Sequence, residues 1–109
     1  MQQANLGVKL SQFHERFDLL LTPTLPLPAF EAGHEVPQGW PRRRWQTWTP
    51  FTYPFNLTQQ PAISVPCGIT TLGLPIGLQL VGAKYRDALV LHAAHAYESF
   101  LPMHRRPPV

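Results

Sequence analysis

Pro54-Phe55-Asn56-Leu57-Thr58-Gln59-Gln60-Pro61-Ala62-Ile63-Ser64-Val65-Pro66-Cys67-Gly68, followed by Gly73-Leu74-Pro75-Ile76-Gly77-Leu78-Gln79-Leu80-Val81-Gly82, is the stretch that decides the fold. Ile63 and Val65 alternate with Ala62 and Ser64, and Ile76, Leu78 and Leu80 alternate with Gly77, Gln79 and Val81. Alternation at period two is the mark of a strand. Residues 68–75 join the two runs at hairpin length, so an antiparallel pair follows, with Pro66 and Pro75 at strand ends where a missing N–H does least harm. Residues 55–60 are short and polar enough for a single helical turn, with Asn56 as its cap and Pro61 as its stop.

Working outward, Leu6, Leu10, Phe13 and Phe17 recur at helical spacing while Lys9, Gln12, Glu15 and Arg16 fall away from them, which predicts an amphipathic helix over residues 3–16. Residues 18–22 are apolar at three consecutive positions and stop at Pro23, as a short strand buried on both faces would. Downstream, Asp87 caps a helix whose inner face is Leu89, Ala93, Ala96, Tyr97 and Phe100, ended by Pro102. Three strands with apolar side chains on both faces need a covering layer on each, and two helices barely supply it.

The pattern resembles the C-terminal part of amidase signature enzymes. The match begins at Phe17-Asp18-Leu19-Leu20-Leu21-Thr22-Pro23-Thr24, similar to the family's Tyr/Phe-Asp-x-Leu-Leu-x-Pro-Thr strand, and runs to Ala94-His95-Ala96-Tyr97-Glu98. Residues 1–16 and 29–48 match loosely. Where the family reads Asn-Leu-x-Gly before Pro-Ala, this chain has Asn56-Leu57-Thr58-Gln59-Gln60-Pro61-Ala62, so a residue with a Cβ replaces a glycine able to take positive φ. The resemblance implies an α/β fold, a mixed β-sheet flanked by helices, of which residues 1–109 form a single partial domain with a proline-rich connector at about 23–54. It implies carboxylic amide hydrolysis by a serine, a second serine on a cis peptide and a lysine, all supplied by an upstream segment that would be this chain's partner.

Composition bounds the alternatives. A chain of 109 residues can bury a core of its own. Of its 13 prolines, seven fall from Pro23 to Pro54, which makes that stretch an irregular connector. The single Cys67 excludes an intrachain disulfide, and the first residues lack a charged-then-apolar leader, so a cytoplasmic protein is expected. No apolar run approaches the roughly 20 residues that span a bilayer, so no membrane partner is expected. The net charge of +3 concentrates in Arg42-Arg43-Arg44 and Arg105-Arg106, with Trp40, Trp45 and Trp48 around the first cluster. Phosphate contact with stacking is one reading of that pattern. A solvated or carboxylate-paired surface is the commoner one, and nucleic acid is not the expected partner.

None of Ser11, Ser64 and Ser99 sits in a Gly-x-Ser-x-Gly elbow or a Gly/Ser-rich run, and Ser64 reads as a small strand residue. Lys9 lies on the exposed side of the first helix and Lys84 follows the last strand, so neither is a desolvated base. Cys67 reads as a core cysteine, although five histidines leave an activated thiolate conceivable. His92, His95 and Glu98 make a stripe at steps of three, but it drifts toward solvent and lacks a second ligand cluster. No catalytic residue, metal or cofactor is assigned, and the chain alone is expected to be inactive.

For a substrate surface the candidates are Trp45, Trp48, Phe51 and Tyr53, with Asn56, Thr58 and Gln59 behind them. Aromatics on a loop beside a sheet's end suit a pocket wall, and the resemblance implies that this connector shapes the acyl-side entrance for a small amide. Packing of the loop onto the body accounts for them equally well. Residues 49–53 and the tryptophans favour a stand-alone amidase over the amidase-like component of a glutamyl-tRNA amidotransferase, which would bring protein partners. The rival from another class is an independent, non-catalytic binding or dimerisation module reusing this half-fold, with homo-oligomerisation a possibility.

Overall fold

A computed structural model describes residues 2–42 and 44–101, without the side chains of Gln2, Trp45 and Gln46. The elements are α1 (Gln2–His14), β1 (Leu19–Pro23), a 3-10 turn (Trp45–Trp48), α2 (Tyr53–Thr58), β2 (Ala62–Ile69), β3 (Pro75–Gly82) and α3 (Asp87–Phe100). The strands form one sheet in the order β1-β3-β2, antiparallel throughout. The α/β class and the hairpin hold. Pro102 and the Arg105-Arg106 pair lie outside the described residues, as does Arg43.

Register sorts the side chains into two faces, because residues opposite one another in an antiparallel pair share a face. Leu80 stands between Leu21 and Ile63, and Leu78 between Pro23 and Val65. On this face Val65, Leu80 and Ala94 form the core cluster, with Ile63, Leu78, Ala93 and Tyr97 packed around them. On the other face Val81 stands between Leu20 and Ala62, and Gln79 between Thr22 and Ser64. Both Leu80 and Val81 are buried, so β3 is covered on both sides.

Several sequence expectations are corrected. β1 is not buried on both faces: it is an edge strand paired only with β3, and Leu21 is 57% exposed because α3 lies across β2 and β3 instead. Pro23 belongs to this strand rather than stopping it; an edge tolerates its missing N–H. β2 likewise continues past Pro66 to Ile69 through a bulge that leaves Cys67 without a partner, and Cys67 is exposed rather than part of the core. Asn56 is inside α2, not its cap. The helix starts earlier, at Tyr53, because Pro54 fits the first turn, where an N–H has no partner to lose.

The last helix is rotated from its predicted face. Val90 and Ala94 are buried, Leu89, Ala93 and Tyr97 are half-buried, and Ala96 and Phe100 are exposed. Gly82 explains the rotation: a Cβ there would come within 2.6 Å of Val90 Cγ2, so the bare backbone lets Val90 seat against β3. Asp87 is the first helical residue and Arg86 occupies the cap position without a side-chain bond. The carboxylate still suits the first turn, facing the positive end of the helix dipole. At the other end of the chain, α1 stops at His14, and Phe17 beyond it is 53% exposed.

Candidate functional site

The second face of the sheet carries a polar stripe, and its construction starts from Gln79. The side chain is only 6% exposed, a position in which an unpaired amide would be costly. Both hydrogens of Nε2 are used: one goes to Thr22 Oγ1 at 2.9 Å, the other to the Phe51 carbonyl at 2.6 Å. A strand residue thereby holds the loop after the 3-10 turn onto the sheet. Farther along the same face Thr24 Oγ1 and Ser64 Oγ share a hydrogen bond of 2.6 Å. Gly77 is required between them, since a Cβ there would stand 2.7 Å from Ser64 Oγ and 2.8 Å from Thr24 Oγ1. A cleft of about 580 Å³ opens over this pair, walled by Leu25, Leu27, Leu74 and Ile76.

The residues named from sequence as substrate contacts fall in separate places. Trp45 contributes backbone to the 3-10 turn, and its side chain lies outside the described residues. Trp48 packs edge-on against Phe30, with ring centroids 5.0 Å apart, and its Nε1–H donates to the Glu35 carbonyl at 2.8 Å. It staples the connector to itself. Phe51 offers its carbonyl to Gln79, and Tyr53 opens α2, 36% exposed. Asn56 and Gln59 are exposed. Thr58 is half-buried, donates to Gln60 Oε1 at 2.7 Å, and lines a different cleft, between α1 and the strand ends. Sequence reasoning passed over Gln79, Thr24 and Gly77; a lone glutamine amid strand aliphatics was the available signal.

Among the described residues, the candidate nucleophiles and bases lie apart from one another. Ser64 shares its hydroxyl with a threonine, Cys67 is exposed at the bulge, and Lys9 and Lys84 are exposed. His92, His95 and Glu98 are exposed along α3, and no group of three His, Cys, Asp or Glu among the described residues could hold a metal ion. No helix among them is long and apolar enough to cross a membrane.

The described residues supply a helix, an edge strand, a long connector and a hairpin running into a covering helix, an α/β layer with one further edge. The family model described as Amidase matches residues 2–91, and the chain belongs to the amidase family. It is 40% identical over 95 residues to a glutamyl-tRNA(Gln) amidotransferase subunit of Thermodesulfovibrio yellowstonii, covering 87% of this chain and 19% of that protein. With the corresponding subunit of Moorella thermoacetica it shares 43% over 94 residues, covering 86% and 18%. Among solved structures, 97% of the chain superposes on 24% of a 6-aminohexanoate cyclic dimer hydrolase with TM-score 0.82 and 33% identity. The glutamyl-tRNA(Gln) amidotransferase subunit of Thermotoga maritima gives TM-score 0.80 and 34% identity, over 94% of this chain and 22% of that one. The chain thus spans about a fifth of the length of the curated relatives it matches.

Proposed function

We propose that this chain is the C-terminal segment of an amidase whose complete body hydrolyses a carboxylic amide, with the attacking serine and its partners supplied by an upstream segment. The observation that carries the reading is the superposition of nearly the whole chain on a quarter of a 6-aminohexanoate cyclic dimer hydrolase. In this reading the connector ahead of α2 borders the acyl side of the substrate, and the Gln79 bond to Phe51 sets its height above the sheet. The curated relatives are amidotransferase subunits and one structural neighbour is a 6-aminohexanoate cyclic dimer hydrolase, so the reading covers both a stand-alone enzyme and an amidotransferase component.

The test is complementation. The 109-residue chain should hydrolyse no aliphatic or aromatic amide by itself, and should form an active complex when co-expressed with the upstream segment of a related amidase. Turnover by the chain alone that disappears in Ser64→Ala or Cys67→Ala, or failure of several upstream segments to form any complex, would sink the proposal.

A further inference from the structure

α1 is held to the rest of the molecule by little apolar contact: none of its described side chains is fully buried, and it rests on α2 rather than on the sheet. Polar ties therefore matter there. One is Gln3 Nε2 donating to the Leu57 carbonyl at 2.8 Å. The other is a chain of bonds through His14 and Gln60, residues 46 positions apart. Gln60 Nε2 lies 3.0 Å from the Gly82 carbonyl and 2.9 Å from His14 Nε2, while Gln60 Oε1 accepts from Thr58 Oγ1 at 2.7 Å.

This geometry decides which ring nitrogen must accept for the bonds to form. A carbonyl only accepts, so Gly82 requires the nitrogen of the Gln60 amide to face it, and with the amide so oriented its second hydrogen points at His14 Nε2. That nitrogen must therefore present a lone pair. The other ring nitrogen, Nδ1, lies 3.1 Å from the Phe17 carbonyl and carries the hydrogen. A protonated ring would set Nε2–H against an amide N–H. Turning the amide over would relieve that clash only by placing Oε1 against the Gly82 carbonyl, two acceptors about 3 Å apart. The charged side chains lining the cleft are Glu15 on the same stretch and Lys84 across it.

We propose that His14 is a pH-sensitive latch that ties α1 to the turn before β2 only while its imidazole is neutral. Protonation opens it and frees α1, together with the Thr58 hydroxyl that leans on Gln60. The inference does not depend on amide chemistry.

The experiment is NMR on the full 109-residue chain at pH 7.5 and pH 5.0. Imidazole nitrogen shifts should give the Nδ1–H tautomer for His14 at pH 7.5. On acidification, amide exchange in α1 should speed up roughly ten-fold beyond its intrinsic pH dependence, the scale of one half-buried hydrogen bond, in step with the His14 titration. In His14→Gln, whose side-chain oxygen accepts at any pH, that acceleration should vanish. In Gln60→Leu, α1 should exchange fast at both pH values. An Nε2–H tautomer at pH 7.5 would overturn the latch. So would α1 protection that ignores the His14 titration, persists in Gln60→Leu, falls equally in His14→Gln, or is absent throughout.

Discussion

Gln59 ends α2 at φ 59° and ψ 36°, a left-handed conformation in which its Cβ crowds the following carbonyl. Its own N–H still reaches the Phe55 carbonyl and closes the helix. This is the place where the family pattern carries glycine, and the turn has kept its shape although the residue that suits it is gone. Gln59→Gly should therefore raise stability by about 1 kcal/mol, seen as a higher urea midpoint with an unchanged slope. A lower midpoint would mean that the exposed glutamine makes a compensating contact. The departure was legible in sequence because one motif position disagreed with its neighbours. The His14–Gln60–Gly82 chain was not, since no local pattern links residues brought together only by the closure of α1 on the turn.

Among elements, the hairpin was the most legible, because alternation at Ile63 and Val65 and at Ile76, Leu78 and Leu80 fixes which face each side chain takes. Helix α3 was less so. Its apolar positions nearly encircle it, and the deciding contact is made by a residue with no side chain, Gly82. The predicted substrate aromatics illustrate the same difficulty: Trp48 spends its indole N–H on the connector's own backbone, which no spacing reveals. Gly82→Ala should cost about 1–3 kcal/mol through the clash with Val90, and Val90→Ala in the same chain should recover part of that loss, although Val90→Ala alone is destabilising. A double-mutant cycle in urea measures the coupling. Strictly additive losses would show that α3 does not seat through this pair.

At the scale of the molecule, the chain is a slab with extents of 41 × 38 × 18 Å. That thickness leaves Phe17, Leu21 and Phe100 exposed at 53, 57 and 82%. Phe17→Ala and Phe100→Ala should each change the stability of the isolated chain by less than about 1 kcal/mol. In a complemented amidase they should cost about 3–5 kcal/mol each if the co-expressed segment covers them, read as weaker association of the two segments. Equal, small effects in both settings would mean that this segment docks elsewhere. The strand order β1-β3-β2 also governs how this slab assembles. β2 meets β3 across a turn of a few residues, whereas the Leu19–Gly82 and Pro23–Leu78 pairings close a loop that contains the whole proline-rich connector. Loop closure must be complete before those contacts return any energy. Leu80→Ala, at the hairpin, should slow refolding, while Leu20→Ala in β1 should leave the refolding rate nearly unchanged and speed unfolding. Stopped-flow kinetics on the two variants would order the events, the hairpin first and the outer strand as latecomer.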